Sequence, residues 1–336
     1  MLRSIRSIRS IRSIPGIHAF DRAPLAAAAL LIALATVTAC STREEPDGGR
    51  PGETSEVATP VGAGTSGGDV TPVPSAPVMP VRYEEGELAF QEKRFADAKE
   101  KFASYVEQRP ENPWGHYMLG LSAWKSGDRV VAESAFVKAL ERDPKHVKSL
   151  LNLTRVLLEE GRPREARERV TAALALDSTS GEVHRLLGRV HSELKQHDEA
   201  IVAYRMALSL DSGDVWSMNN MALILIQQDR YDEALPALAR ATQLEPGVPV
   251  FQNNLGIALE RSGRYTLAAQ AYGAAVAADS GYRKAVMSLA RVQNLKDDPA
   301  LVPIELGSLA EAFDRGIRGM LVGASKETTD STRPPR

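Results

Sequence analysis

The sequence predicts an all-α superhelical solenoid of six 34-residue helix-turn-helix repeats plus C-terminal capping helices. Three observations predict it. Laid out in rows of 34, the chain stays in phase without insertion or deletion, the rows starting at Met79, Pro113, Val147, Gly181, Val215 and Pro249. Within those rows small and large residues recur at fixed offsets. The composition, with aromatics at only 5% and alanine abundant, suits closely stacked small-residue helices better than a β-sandwich.

Composition also excludes classes. The 336 residues hold 41 Lys+Arg against 43 Asp+Glu, a formal charge of −2 without the basic excess of a dedicated nucleic-acid binder, so no nucleic-acid partner is expected. A single cysteine, Cys40, permits neither an internal disulfide nor a zinc site built on two or more thiolates.

Residues 1–39 read as an export signal. Arg3, Arg6, Arg9, Arg12 and Arg22 precede an uncharged, largely apolar run from Leu25 to Ala39, which is shorter than the ~20 residues a permanent membrane helix needs. The run ends at Val37-Thr38-Ala39-Cys40, which resembles the bacterial lipobox: an aliphatic residue, two small residues, then the cysteine that receives diacylglycerol. The Arg- and Ser-rich triplets before Ile14, with no acid before Asp21, also fit a mitochondrial presequence, although a presequence needs no lipobox. In bacterial lipoproteins an aspartate after the cysteine commonly holds the protein at the inner membrane. Here Ser41 follows, so the resemblance implies an outer-membrane lipoprotein facing the periplasm.

From Ser41 to Pro80, 23 of 40 residues are Pro, Gly, Ser or Thr without helical or strand periodicity, so residues 40–80 are expected to be a lipidated cysteine and a disordered tether. Such a chain reaches roughly 35 Å.

The solenoid is expected over 81–298. Position twenty is alanine in all six rows: Ala98, Ala132, Ala166, Ala200, Ala234 and Ala268. Position eight is small, reading Gly86, Gly120, Thr154, Gly188, Ala222 and Gly256, while position twenty-four is large, reading Phe102, Phe136, Val170, Tyr204, Leu238 and Tyr272. Two antiparallel helices pack closely only where small residues sit at the close approach and a bulky side chain fills the gap beside them. Gly127, Gly161 and Gly263 fall between the two helices of their rows, where a left-handed residue ends the first. Lys93, Lys195 and Asp229 stand there in the other rows. Pro110, Pro144 and Pro246 close their rows.

These rows resemble the tetratricopeptide-repeat family, and with the lipobox the chain looks like the pilotin and assembly lipoproteins. A further helix from Arg283 to about Lys296 continues the phase before Pro299 and Pro303 interrupt it. An amphipathic stretch from Ile304 to about Val322, with Leu309, Phe313, Ile317 and Met320 on one face, makes 299–323 a candidate capping helix over the terminal repeat. Residues 324–336 are expected to be a disordered tail.

The sequence contains no glycine-rich phosphate loop, G-x-S-x-G elbow or H-E-x-x-H helix, so no catalysis and no cofactor are expected. His184, His191 and His197 cluster in row four. Because His184 and His191 occupy positions where the family packs inward, packing or partner contact outweighs metal binding.

The resemblance implies a concave face lined by the first helix of each row, at positions two, five, six, nine and twelve. The first two rows place Tyr83, Phe90, Trp114, Tyr117, Leu121 and Trp124 there, a set suited to anchoring apolar side chains. The middle rows place Lys148, Asn152, Arg155, Arg185 and Arg189, where the guanidinium groups suit carboxylates and hence an acidic segment. The later rows add Trp216, Asn219, Asn220, Asn253 and Asn254. Asparagine at position six, at Asn152, Asn220 and Asn254, resembles family members whose amide holds an extended peptide backbone. The expectation is a membrane-anchored scaffold that binds protein or peptide segments. The alternative is an accessory lipoprotein that localises a cell-wall or polysaccharide enzyme or binds glycan.

Overall fold

The computed structural model describes residues 82–330, with side chains to residue 319, and every regular element among them is a helix. The expected signal segment, Cys40 and the tether lie outside the described residues, as do residues 331–336. Repeat one is α1 (Tyr83–Gln91) and α2 (Phe95–Gln108). Repeat two is α3 (Pro113–Lys125) and α4 (Arg129–Arg142), repeat three α5 (Val147–Glu159) and α6 (Pro163–Leu176). Repeat four is α7 (Gly181–Glu193) and α8 (His197–Leu210), repeat five α9 (Val215–Gln227) and α10 (Tyr231–Leu244), repeat six α11 (Pro249–Arg261) and α12 (Tyr265–Ala278). A half repeat, α13 (Arg283–Val292), and a long α14 (Leu306–Asp330) follow.

The helix boundaries follow from local chemistry. At several row ends the closing residue caps the next helix: Asn112 accepts the N–H groups of Trp114 and Gly115, Ser180 serves α7 through Val183, and Asp214 serves α9 through Ser217; within repeat two, Asp128 caps α4 through Val131. Pro113, Pro163 and Pro249 stand in the first turn, where a missing N–H costs nothing. Between the two helices of a repeat the chain turns through left-handed backbone, at φ 87°, 70° and 77° for Gly127, Gly161 and Gly263, and at 60°, 62° and 58° for Lys93, Lys195 and Asp229. The three rows without glycine therefore use the same turn. Since a side chain at positive φ carries a steric cost, Lys195→Gly is expected to raise stability by about 0.5–1 kcal/mol in chemical denaturation, with the turn unchanged.

The small–large alternation is a literal fit between side chains. A Cβ added at Gly86 would lie 2.8 Å from the Phe102 ring, at Gly120 2.7 Å from Phe136, at Gly188 2.7 Å from Tyr204, and at Gly256 2.5 Å from Tyr272. In repeats three and five, where position eight carries Thr154 and Ala222, the facing residues are the smaller Val170 and Leu238. Each repeat thus solves one volume equation with its own pair. The position-twenty alanines are completely buried in all six rows.

Neighbouring first helices touch one another along the stack, from α1–α3 to α11–α13, whereas no two neighbouring second helices do. The stack therefore curves with the first helices inside, which makes them the inner wall.

The C-terminal helix departs from the expectation of a cap. It begins at Leu306 and runs to Asp330, past the expected boundary at 323, and it packs on α10 and α8 rather than on α12 or α13. The reason lies at position twenty-one, on the second helix of each row. That position is charged in the first three rows, at Lys99, Glu133 and Arg167, and apolar in the next three, at Ile201, Leu235 and Ala269. Ile201 and Leu235 share a buried cluster with Ile317 of α14, against which Leu309 and Phe313 pack. Asp314, buried in this contact, pairs with Arg318 and lies 3.8 Å from Arg240 of α10.

Candidate functional site

The inner wall changes character along its length. At its first end Tyr83 packs edge-on against Phe102 and Tyr105, and burial pushes its hydroxyl up to about 12. Tyr117 is also buried, its hydroxyl raised chiefly by desolvation. Trp114 is different: 46% of it remains exposed, and it meets Tyr117 and His146 edge-to-face while the Lys148 ammonium stands 5.4 Å from its ring centre. Trp124, half-buried, donates its indole N–H to Glu159 at 3.1 Å, and Arg129 reaches the same carboxylate at 3.0 Å. Of Tyr83, Phe90, Trp114, Tyr117 and Trp124, Trp114 alone is exposed, and Trp124 is tied to the edge of the wall.

His146 belongs to this corner, and its lining role is visible only in three dimensions. The sequence signal is its place at the end of row two, in register with the capping residues Asn112, Ser180 and Asp214. Its Nδ1 accepts the Ser149 N–H at 3.2 Å and lies 2.7 Å from the Ser149 hydroxyl, so the ring caps α5 as an acceptor. The proton of the neutral ring is thereby assigned to Nε2, which is buried and has no hydrogen-bond partner. Burial lowers the His146 pKa, with Lys148 acting in the same direction and Asp143 opposing. A depressed histidine pKa means that the unfolded chain binds the proton more readily. Its contribution is therefore intact above the unfolded value of 6.5 and declines as pH falls through it. Melting temperature is expected to drop between pH 7.5 and 5.5, and His146→Ser, which caps without titrating, is expected to flatten part of that slope.

In the middle of the wall the guanidinium groups are engaged. Arg155 pairs with Glu182 of the next repeat and also donates to Asn152 at 3.0 Å. Arg185 donates to Asp214 at 3.0 Å. Among the described residues Arg189 makes no ion pair. An acidic segment would therefore meet two arginines already neutralised by carboxylates that the sequence places 27 and 29 residues away. Asn152 is buried, its amide N–H₂ donating to the Lys148 carbonyl at 3.0 Å.

The far end carries an amide ladder. Asn219 donates to Asn220 at 3.2 Å, Asn253 donates to Asn254 at 3.3 Å, and Asn254 donates across the repeat boundary to Asn219 at 2.8 Å. The carboxamide oxygen of Asn253 is buried without a partner, whereas Asn220 is half-exposed. Trp216, edge-on to Phe251, flanks the ladder. The three histidines of row four do not converge: His184 bonds the Ser178 carbonyl at 2.9 Å and His191 bonds Gln196 at 3.0 Å. No cluster of three or more metal-ligating side chains occurs among the described residues, and none of their helices is long and apolar enough to cross a membrane.

Three family models described as "Tetratricopeptide repeat" match residues 123–190, 182–214 and 219–283. No curated protein matches the sequence. Among solved structures, the APC/C hetero-tetramer Cut9–Hcn1 is similar at a TM-score of 0.57 and 18% identity, over 64% of this chain and 42% of that one. Yeast Tom70 is similar at 0.49 and 15% identity, over 59% and 42%. YrrB, described as "a TPR protein with an unusual peptide-binding site", is similar at 0.44 and 20% identity, over 56% and 96%. At these identities the likeness bears on the fold. The chain carries tetratricopeptide repeats and folds as an all-helical tetratricopeptide solenoid, the fold of a protein-interaction scaffold.

Proposed function

We propose that this chain is a non-enzymatic adaptor that takes an extended segment of a partner protein along its inner wall. In this reading an acyl group on Cys40 holds it at the periplasmic face of the outer membrane, where it assists assembly of an envelope complex. The observation that carries the groove reading is the amide ladder. A carboxamide offers one acceptor and two donors, the complement of a peptide unit, and Asn220 stands half-exposed at the edge of the ladder, whose other amides are buried. Exposed Trp114 would receive an apolar side chain of the same segment at the other end of the wall. With Arg155 and Arg185 already paired, recognition rests on backbone and apolar contacts more than on partner acidity. The lipobox-like segment and Ser41 support the anchoring.

Random linear peptides selected on the chain and measured by calorimetry test the groove. Asn220→Ala and Asn254→Ala are each expected to weaken the selected peptides about tenfold, the loss of one or two hydrogen bonds. Unchanged affinity in both variants would sink the groove reading, and selection of glycans through Trp114 instead would favour a carbohydrate-binding accessory. For the anchor, an alkyne fatty acid fed to cells is expected to label the wild-type chain and not Cys40→Ser. Equal labelling of the two, or none, would remove it.

A further inference from the structure

Among the described residues the two ends of the stack are unfinished in complementary ways. Position ten of the first helix is buried against the preceding repeat in every row that has one, at Ser122, Val156, Val190, Ile224, Ala258 and Val292. In α1 the same position is Leu88, 53% exposed. At the other end α13 has no second helix to follow it, and α14 does not take that place, because it packs on α10 and α8. Position four is buried at His116, Leu150, Met218 and Gln252 and half-buried at His184 but open at Val286, and position five is buried at Tyr117, Leu151, Asn219 and Asn253 and half-buried at Arg185 but 68% exposed at Met287. Charge divides the same way. Among its ionisable side chains α1 carries Glu84, Glu85 and Glu87 and no base, whereas α13 carries Arg283, Lys284 and Arg291 and no acid, although Arg291 is already paired with Glu260 of α11 and Glu85 lies 3.9 Å from Lys101. Arg283 lies one turn from Met287, and Glu84 one turn from Leu88, so each apolar residue has a charge of its own end's sign beside it.

From this we infer that the occupant of each end is the other end of a second copy: α1 of one chain lies along the open side of α13 of the next, Leu88 against Val286 and Met287, with the α1 carboxylates facing Arg283. Each helix supplies the neighbour that the other lacks. The contact joins unlike surfaces, so it propagates head to tail instead of closing into a twofold dimer. A single helix pair buries less than a standard stable interface, so association is weak and requires high local concentration.

Sedimentation velocity on the full chain carrying Cys40→Ser, in a mild detergent that keeps the 25–39 run dispersed, tests this from about 1 to about 100 μM, the range in which so small an interface responds. Wild-type mass is expected to rise at least twofold without a fixed end state. Leu88→Asp and Met287→Asp each remove one end and are expected to be monomeric with unchanged melting, both residues being exposed. Mixed in equal amounts, the two variants retain one good head and one good tail and form a 1:1 dimer that grows no further. Raising salt from about 0.05 to about 0.5 M weakens the wild-type association. A wild type that stays monomeric, a variant that still associates alone, a mixture that stays monomeric, or association indifferent to salt would overturn the proposal.

Discussion

Gly120→Thr and Phe136→Val are expected to cost about 2–3 kcal/mol each, and the double variant to cost at least ~1.5 kcal/mol less than the two combined. The first drives a side chain into a ring that already stands 2.7 Å from where its Cβ must lie, a clash that outweighs the small helix-propensity gain over glycine. The second leaves an unfilled space where Phe136 is fully buried. Together they install in repeat two the pair that repeat three uses at the same positions, Thr154 and Val170. Thr154 also shows that the hydroxyl is tolerated, since it donates to the Leu150 carbonyl four residues back at 2.7 Å. Chemical denaturation of the four proteins measures the coupling. Simple additivity would mean that positions eight and twenty-four do not determine each other's size.

Asp214→Ala is expected to destabilise the chain by about 2–4 kcal/mol, the largest loss for any single polar residue of the wall. The Asp214 carboxylate is 4% exposed and does three things at once. One oxygen accepts the Ser217 N–H at 3.2 Å, capping α9, and the Arg185 guanidinium at 3.0 Å, while the other accepts the Ser217 hydroxyl at 2.6 Å. Truncation orphans the helix terminus and leaves a partly buried guanidinium without its partner. Asp214→Asn keeps the cap but not the charge, so it is expected to recover about half of the loss. Full recovery would show that the ion pair with Arg185 contributes nothing.

The repeats were legible because a solenoid is a local structure. Every row buries the same positions, so Ala98 to Ala268, the small–large pairs and the turn residues repeat in one dimension, and a 34-residue ruler finds them. The direction of α14 left a fainter trace, the change at position twenty-one from Lys99, Glu133 and Arg167 to Ile201, Leu235 and Ala269, which reads as a second buried face only once the helices are in register. The state of the inner wall left almost none. Arg155 and Arg185 look like a basic patch in the sequence, because Glu182 and Asp214 stand 27 and 29 residues further on and meet them only once the helices are folded together. Likewise Asn254 meets Asn219 from 35 residues away, and His146 enters the aromatic corner as the cap of a helix rather than as a lining residue.

The amino-acid sequence by itself therefore determined the repeat, its length, its turns and which residues each helix pair buries, since these depend on neighbours within one period. Tertiary structure alone decided which inner-wall groups are already satisfied, where the C-terminal helix lies, and that Leu88 of α1 and Met287 of α13 stay exposed at the ends of the described stack. Those properties arise from contacts between successive repeats, where the charge or exposure of a side chain depends on a residue about one period away.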